Sequence, residues 1–184
     1  MTVPFELDEI AKIDQAHADL LRGLIVSSKP KKILELGLGG GKSADSMLEG
    51  LAYNQQPFDY TLVDNWQDRG GIIPQIVRDR YEAHMKFVTS GEREFVFSCT
   101  EKYDFIMSDA DHFNADQWFE YVYENLLEDN GILIYHDVNI IEQEFVNLIN
   151  IYDKCQEYGI RHVLFNKNSL PTERCQRGLL VIFK

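Results

Sequence analysis

Cysteine is scarce in this sequence, with Cys99, Cys155 and Cys175 the three present among 184 residues. Their number is odd, they lie far apart, and none belongs to a C-x-x-C pair. Disulfide frameworks use an even set of cysteines, and structural zinc sites use closely spaced pairs. The sequence therefore indicates neither kind of site, and we expect these cysteines to be buried or half-buried thiols.

Basic residues are also under-represented. The chain has 18 lysines and arginines against 30 aspartates and glutamates, which gives a formal net charge of −12 at pH 7. Such a charge repels a phosphate backbone and opposes the counterion-releasing contacts on which nucleic-acid affinity depends. We therefore expect no nucleic-acid partner.

Long apolar runs are missing as well, since no stretch reaches the roughly 18 residues that a membrane-spanning helix needs. The N-terminal sequence MTVPFELDEI is acidic, whereas a signal peptide is basic and then apolar. We therefore expect a cytoplasmic protein with no membrane partner. No repeat or low-complexity linker divides the chain, so we expect one domain over residues 1–184.

Glycine, by contrast, is concentrated in one place. Residues 33–43, ILELGLGGGKS, contain an apolar run, four glycines within five residues, and Ser43 at the start of a helix-compatible segment. Glycine permits positive φ angles and close approach of a ligand to the main chain, and a helix start offers unpaired N–H groups. This strand, turn and helix pattern predicts a ligand-binding loop.

Two kinds of ligand compete for this loop. The letters GGGKS are similar to the end of a phosphate loop, but that motif has glycine where this chain has Leu36. The alternative is a nucleoside cofactor, whose ribose hydroxyls call for an acidic residue at the end of the next strand. Asp64 ends the run YTLV at residues 60–63, 27 positions after Gly37, which leaves room for one helix and a return loop. A nucleoside cofactor is therefore favoured.

A spacing of E-x-G-x-x-x-G-x-S is formed by Glu35, Gly37, Gly41 and Ser43, and Asp64 follows. With this pattern the chain resembles the class I S-adenosylmethionine (SAM)-dependent methyltransferases, and within them the small O-methyltransferases similar to catechol and caffeoyl-CoA O-methyltransferases. The resemblance implies a Rossmann-like α/β fold, with a doubly wound, mainly parallel sheet and a C-terminal antiparallel strand pair.

Two later segments extend the resemblance. Residues 103–112, YDFIMSDADH, are similar to the fourth family motif, a buried strand that delivers an aspartate to the cofactor edge. Residues 131–138, GILIYHDV, are similar to the fifth strand with its terminal acid. The motifs follow one another in the family's order, so residues 33–138 are identified as the cofactor-binding core.

The cofactor implied by the resemblance is SAM. Family members place an adenine-binding residue just after their third strand, which points to Ser98 here. The ring of Trp66 offers stacking area for the adenine, although a plain packing role is an equal alternative. The residues expected to bind the cofactor are Glu35, Gly37, Leu38, Gly39, Gly41, Ser43, Asp64, Asn65, Trp66, Ser98 and Asp109.

The catechol and caffeoyl-CoA relatives hold a magnesium or calcium ion, and by resemblance Asp109 and Asp137 are its first and second ligands here. The third ligand of those relatives is an asparagine, and its position in this chain is Val138. Asp111 is the substitute ligand that the sequence offers. Such a divalent cation lowers the pKa of a substrate hydroxyl and fixes its orientation.

Two histidines accompany these aspartates. His112 follows closely after Asp109, and His136 directly precedes Asp137. A histidine is suited to act as a general base there because its unperturbed pKa lies near neutrality, and a structural role for each is the alternative. The expected catalytic set is therefore Asp109, His112, His136 and Asp137. His17 is expected to be an ordinary packing or surface residue.

Hydrophobic spacing predicts an amphipathic helix over residues 7–27 and a further helix near 72–88. The run EFVFS at 94–98 is the candidate third strand. Residues 99–102 alone would then lead to the fourth strand, whereas a parallel crossover takes about a dozen residues or more. We therefore expect a shortened third-strand region, in which this strand is displaced, antiparallel or missing from the sheet.

The function expected from these features is SAM-dependent methylation of a hydroxyl group on a small molecule. A catalytically inactive nucleoside-binding module of the same fold is an alternative from a different class, and a phosphate-loop nucleotide-binding protein is a third. The expected partner is a small-molecule substrate, and a homodimer is left open as the assembly. The substrate's identity lies in loops and in the N-terminal helix, where the sequence indicates little.

Overall fold

Helices and strands alternate along the first half of the chain. The structure, a computed structural model, describes residues 13–67, 70–138, 146–165 and 178–184. The elements of the first half are α1 (Gln15–Ser28), β1 (Lys32–Leu36), α2 (Lys42–Asn54), β2 (Asp59–Asp64), α3 (Gln75–Tyr81), β3 (Lys86–Thr89) and α4 (Glu92–Ser98).

The second half begins with a strand and ends with an antiparallel strand pair. Three short helical segments lie between β4 (Tyr103–Ser108) and β5 (Leu127–His136). They are a 3-10 turn (Ala115–Gln117), α5 (Phe119–Tyr121) and a π-helical turn (Val122–Leu126). The regular elements are β4 (Tyr103–Ser108), α5, β5 (Leu127–His136), α6 (Val146–Glu157), β6 (His162–Phe165) and β7 (Leu179–Phe183).

The strands form one seven-stranded sheet within the described residues, in the order β3-β2-β1-β4-β5-β7-β6. Strands β1 to β5 pair in parallel, and β7 pairs antiparallel with both β5 and β6. This is the mainly parallel α/β sheet with a C-terminal antiparallel pair that the sequence predicts. The predicted fold class is confirmed.

The predicted third strand is wrong. Residues 94–98 belong to α4, and the third strand is β3, at Lys86–Thr89, which overlaps the end of the range predicted as helix. Gly91 precedes α4 in an extended conformation, and Glu92 and Glu94 lie in its first turn, where acidic groups stabilise the positive end of the helix dipole. α4 is therefore the crossover between β3 and β4, and the expected shortening of this region does not occur.

Of the N-terminal helix predicted over residues 7–27, the structure describes the part from residue 13 onward, and there the helix begins at Gln15. Asp14 caps α1 by accepting a hydrogen bond from the backbone N–H of His17, and the helix runs from Gln15 to Ser28. Residues 7–12 of the predicted helix lie outside the described residues. So does Cys175. Cys155 is buried and Cys99 is half-buried, as expected.

Two apolar layers cover the two faces of the sheet. On one face α1, α2 and α3 pack through buried residues such as Leu21, Met47 and Val77. On the other face α4, α5 and α6 pack through Phe95, Phe119 and Ile151, among others. Because both faces are covered, the side chains of the central strands β1 and β2 that meet solvent lie at the strand ends. No helix of the described residues is long and apolar enough to cross a membrane.

The carboxyl ends of the central strands lie side by side. In the register, Leu36 of β1 pairs with Val63 of β2 and with Ser108 of β4. Ser108 in turn pairs with Tyr135 of β5. The residues that follow these strands therefore converge at one edge, which is where parallel α/β sheets place their ligands.

Candidate active site

The glycine turn after β1 is held by backbone hydrogen bonds and positive φ angles. The N–H of Gly37 donates to the carbonyl of Val63 at 2.8 Å, and the N–H of Gly41 donates to that of Leu38 at 2.9 Å. The φ angles are 88° at Gly37, 52° at Gly39 and 78° at Gly41. A Cβ at Gly37 would lie 2.7 Å from the backbone oxygen of Asp109. Glycine is therefore required where the turn passes the end of β4.

A cleft of about 510 Å³ opens beside this turn at the carboxyl edge of the sheet. Asp64 connects the glycine turn after β1 to the segment after β2. One of its carboxylate oxygens accepts the N–H of Leu38 at 3.1 Å, and the other accepts the N–H of Trp66 at 2.8 Å. The predicted site residues that line the cleft are Gly37, Gly39, Asp64, Asn65, Asp109, Asp111 and His112. The structure thus brings the glycine turn and the aspartates after β2 and β4 to one cavity.

Glu35 and Ser43 lie beneath the turn and do not line the cleft. The Glu35 carboxylate is fully buried and accepts hydrogen bonds from Ser43 Oγ at 2.5 Å and from the Tyr60 hydroxyl at 2.7 Å. Burial raises the pKa of Glu35 to about 8, although both hydrogen bonds act in the opposite direction. These two hydrogen bonds connect the start of α2 to β1 and β2, and they thereby stabilise the glycine turn.

Two further predicted residues are not brought to the cleft. Trp66 is 1% exposed and packs in the apolar layer of α1 to α3, because its φ of 53° turns the chain back at this point. Ser98 lies in the last turn of α4, where its hydroxyl donates to the carbonyl of Phe95 at 3.1 Å. The residues just after β3 that do line the cleft are Ser90, Gly91 and Glu92.

Leu38 and Gly41 contribute through their backbone. The Leu38 side chain is buried, while its N–H contacts Asp64. Gly41 is the N-cap of α2, and the Tyr81 hydroxyl donates to its carbonyl at 3.2 Å and to Asp45 at 2.9 Å. These contacts fix the last part of the turn against α3.

Four charged or titratable side chains form a cluster at the far side of the cleft, and we call them the His–Asp ring: Asp109, His112, His136 and Asp137. Asp109 and His112 line the cleft, whereas His136 and Asp137 are buried and are not among its lining residues. His112 Nε2 lies 3.1 Å from Asp109 Oδ1 and 3.3 Å from Asp137 Oδ2. His136 Nδ1 lies 3.2 Å from Asp109 Oδ1 and 3.1 Å from Asp137 Oδ1. Each of the four predicted catalytic residues therefore contacts two of the others.

Contacts within the ring favour the charged forms of Asp109, His112 and His136. Burial alone raises the pKa of Asp109, but the charge of His136 and hydrogen bonds with His112 and His136 outweigh burial and hold the pKa well below its usual range. For His112 and His136 burial lowers the pKa, and the contacts with Asp109 and Asp137 raise it above the usual value. Asp137 also adopts a φ of 63°, a conformation that is costly for a residue other than glycine and is common at functional sites.

Three members of the ring could hold a metal ion. Ligand atoms of Asp109, His136 and Asp137 all lie within 4.8 Å of one another. This donor set combines oxygen and nitrogen, which suits a divalent ion that accepts imidazole better than it suits magnesium. Asp111 is not part of the set, since its Oδ1 accepts the N–H groups of Phe113 and Asn114, each at 3.0 Å.

Sequence reasoning missed Glu92. This buried carboxylate accepts hydrogen bonds from Ser108 Oγ at 3.0 Å, from Trp118 Nε1 at 3.0 Å and from the N–H of Asp111 at 2.8 Å. It therefore holds the loop that carries Asp109 and His112. The signal was the sequence S-G-E directly after a short β-branched run, which marks a helix start.

Sequence reasoning also missed a contact of His17, which it predicted to be an ordinary packing or surface residue. His17 is 3% exposed, and its Nδ1 lies 3.2 Å from Nε2 of His136 across 119 positions of sequence. No local pattern in the sequence indicates this contact, because it depends on how α1 packs on the sheet.

A second cleft, of about 540 Å³, lies on the helical side of the molecule. It is lined by α2, α3 and their neighbours, and Arg80 forms an ion pair there with Asp45. None of the predicted site residues lines it. The cavity at the carboxyl edge is therefore the candidate active site.

Comparison with known proteins agrees with this location. Residues 34–138 match the family described as "Methyltransferase domain". A polyamine aminopropyltransferase from Vibrio vulnificus (strain CMCP6) is 26% identical in an alignment that covers 84% of this chain and 56% of the relative. The chain thus spans little more than half the length of that relative.

Solved structures share the fold at low sequence identity. An O-methyltransferase from Bacillus cereus in complex with SAH superposes with a TM-score of 0.74 at 16% identity, over 94% of this chain and 83% of that one. A putative caffeoyl-CoA O-methyltransferase from Staphylococcus aureus superposes with a TM-score of 0.68 at 19% identity, over 97% of this chain and 88% of that one. The O-methyltransferase TomG from Streptomyces achromogenes is involved in tomaymycin synthesis, and its structure is a complex with SAM. It superposes with a TM-score of 0.70 at 10% identity, over 94% of this chain and 81% of that one. These similarities confirm the Rossmann-like arrangement of the sheet.

Proposed function

The chain belongs to the methyltransferase-domain family, and from this premise we propose that it is an enzyme that uses SAM to methylate a hydroxyl group of a small molecule. The observation that carries the proposal is that the glycine turn, Asp64 and two members of the His–Asp ring, Asp109 and His112, line one cleft. When bound, SAM supplies an activated methyl group. The protein then has to bind the cofactor, orient an acceptor and remove its proton.

The cofactor side of the cleft is formed by Gly37, Gly39 and Asp64. Backbone at the two glycines approaches the cavity without side chains, which leaves space for the cofactor's amino-acid tail. Asp64 is positioned by two backbone donors and offers a carboxylate for the ribose hydroxyls. Ser90 and Gly91 line the cleft beyond Asp64, and we assign to them the adenine contact expected at Ser98.

The acceptor side is formed by the His–Asp ring. His112 is its member best placed to meet a substrate, because it lines the cleft and its side chain is 24% exposed. Contacts with Asp109 and Asp137 keep the pKa of His112 above its usual value and hold its ring in place. We assign to the neutral form of His112 the removal of the acceptor's proton, so activity should rise with pH as His112 loses its own proton. Asp109 and Asp137 orient the His112 ring.

A divalent ion fits the same ring through Asp109, His136 and Asp137, whose donor atoms are close enough together to share one ion. Such an ion, when bound, lowers the pKa of a hydroxyl beside it. Activity that is lost with EDTA and restored by manganese or zinc would support the metal-assisted version. Unchanged activity in EDTA, with loss in His112→Ala, would support proton removal by histidine alone.

The test is transfer of a labelled methyl group. SAM with a ¹³C methyl is incubated with the protein and a panel of hydroxylated small molecules, and the products are identified by mass spectrometry. The proposal expects a product heavier by one labelled methyl group and release of S-adenosylhomocysteine. Cofactor binding without turnover of any acceptor would favour the inactive nucleoside-binding module. Binding of ATP with magnesium and not of SAM would favour the phosphate-loop protein.

Aminopropyl transfer is a second candidate function, and the similarity to the polyamine aminopropyltransferase of Vibrio vulnificus favours it. The net charge of −12 is compatible with a cationic amine as acceptor. The same mass-spectrometric assay separates the two reactions when a polyamine is offered with a sulfonium nucleoside that bears an aminopropyl group. Methyl transfer to a hydroxyl and aminopropyl transfer to an amine give products of different mass.

A further inference from the structure

Helix α1 brings a buried polar side chain to the rear of the His–Asp ring. His17 lies in the first turn of α1, and Ala18, Leu21 and Ile25 fix that helix to the sheet by their burial. The Nδ1 of His17 lies 3.2 Å from Nε2 of His136. His136 faces Asp109 and Asp137 with its other nitrogen, at 3.2 and 3.1 Å. Both nitrogens of the His136 imidazole therefore have polar neighbours.

The position of His17 is itself fixed by the helix cap. One oxygen of Asp14 accepts the backbone N–H of His17 at 3.0 Å, and the other lies 3.0 Å from His17 Nδ1. A single carboxylate thus caps α1 and orients the first imidazole. Asp14, His17 and His136 form a chain of contacts that ends at the carboxylates of the cleft.

We infer that His17 is a positioning residue, which holds the His136 imidazole with Nδ1 towards Asp109 and Asp137. A flip of the His136 ring about its Cβ–Cγ bond would replace a nitrogen by a carbon at both ends and lose the contacts on each side. His17 restricts this flip because it offers a polar partner to one edge of the ring. The effect on catalysis rests on the proposed function, whereas the effect on ring orientation does not.

Packing alone is the competing explanation. The two imidazole rings also meet edge to face, with centroids 5.3 Å apart and an angle of 86°. A leucine at position 17 would retain most of this apolar contact and remove both nitrogens. An asparagine would keep a polar atom near the position of Nδ1 with a smaller packing volume. The pair His17→Leu and His17→Asn therefore separates polar orientation from packing.

Ring orientation is measured directly by long-range ¹⁵N–¹H NMR of the histidine side chains. In the unmodified protein we expect distinct, stable shifts for the two nitrogens of His136. His17→Leu should average them towards the pattern of an unrestrained imidazole, and His17→Asn should largely restore the original pattern. His84→Asn is the control, since His84 is exposed and lies outside the His–Asp ring.

Kinetics provide the second readout. Positioning partners of a site histidine typically contribute about 10- to 100-fold to activity, so kcat should fall by that factor in His17→Leu while KM for SAM stays nearly unchanged. His17→Asn should recover most of the lost kcat. If no acceptor is methylated by the unmodified protein, the proposed function fails, and the NMR comparison still decides the role of His17.

Two outcomes would overturn the inference. One is an unchanged His136 spectrum in a folded His17→Leu variant. The other is a loss in His17→Asn as large as in His17→Leu, which would assign the effect to packing. If His17→Leu does not fold, Asp14→Asn takes its place, because asparagine retains the helix cap while altering the partner of Nδ1. An unaltered His17 and His136 spectrum in that variant would equally contradict the inference.

Discussion

The two sides of the cleft differ in whether backbone or side chains form them. The cofactor side is mainly backbone, formed by a glycine turn whose N–H and carbonyl groups pair with β2 and with the turn itself. The acceptor side is made of charged side chains, which come from the loop after β4, the end of β5 and, behind them, α1. A backbone site depends on local conformation, whereas a side-chain site depends on the packing of distant segments.

This difference predicts separable defects. Changes in the His–Asp ring should affect chemistry more than cofactor affinity, and changes around the turn should affect affinity and folding more than chemistry. Glu35 is an exception on the cofactor side, because it is a fully buried ionisable group that supports the turn from beneath.

The largest effect is expected in the ring. Asp137→Asn removes a charge that contacts both His112 and His136, so kcat should fall by about 10²- to 10⁴-fold, the range typical of acid–base groups. Affinity for S-adenosylhomocysteine, measured by calorimetry, should stay nearly unchanged. Asp129→Asn, at an exposed position of the same strand, is the matched control. Equal loss of affinity and kcat in Asp137→Asn would break the proposed division of the cleft.

A pH-dependent effect is expected at Glu35. The pKa of Glu35 is about 8 in the folded protein, against 4.5 for an unperturbed glutamate in the unfolded chain. Between pH 4.5 and 8 the folded state therefore binds more protons than the unfolded state. The free energy of unfolding should therefore fall as pH rises from about 4.5 to 8, with a limit of about 1.4 kcal/mol per pH unit for one proton.

Urea unfolding at pH 5.5, 7 and 8 checks this, with Glu35→Gln as the comparison, because glutamine does not titrate. The stability of the variant relative to the unmodified protein should rise with pH over this window. Parallel pH curves for the two proteins would show that Glu35 does not carry the expected proton.

A smaller loss of stability is expected at Gly37. In Gly37→Ala the new Cβ would meet the backbone of Asp109 and Ala110 at 2.7 to 3.0 Å, at a residue with a φ of 88°. Overpacking and backbone strain together predict a loss of about 3 kcal/mol. Cofactor affinity should decline with it, because the turn is displaced.

Gly23→Ala is the matched control, since this glycine lies within α1 with no neighbouring atom within 4 Å of a new Cβ. Alanine favours the helix, so this variant should gain about 0.5 to 1 kcal/mol. Chemical denaturation of both variants measures the contrast. A Gly37→Ala protein as stable as the unmodified chain would refute the close approach of the turn to β4.

The smallest effect is expected at Asp64. Asp64→Asn keeps one oxygen acceptor for Leu38 or Trp66 but loses the charge, so cofactor affinity should fall by about 1.5 kcal/mol, or tenfold. At saturating SAM, kcat should be nearly normal. Asp59→Asn, at the exposed start of the same strand, should bind as the unmodified protein does. A loss confined to kcat would reverse the assignment of Asp64.

The same contrast explains what could be predicted from the sequence. The glycine turn and Asp64 are local patterns, and their places in the structure agree with the prediction. Asp109 and Asp137 each end an apolar strand, so their convergence follows from the parallel order of β4 and β5. These residues required no knowledge of how the helices pack.

The errors arise where several structures suit one local pattern. The run EFVFS suits a short buried strand, but Phe95 and Val96 also form the buried side of a short helix. The error at Ser98 followed from this one. For Trp66 the sequence left stacking on the cofactor and plain packing as equal alternatives, and the structure has the packing role. His17 and Glu92 depend on contacts between separate elements and had no local signal of comparable strength.

Crystals grown with S-adenosylhomocysteine test the central claim most directly, because the molecule has a cleft of about 510 Å³ at the carboxyl edge and one of about 540 Å³ on its helical side. The account predicts density at the carboxyl edge, with the ribose against Asp64, the amino-acid tail beside Gly37 and the sulfur facing the His–Asp ring. Density in the cleft beside Arg80, or none at saturating ligand, would contradict it.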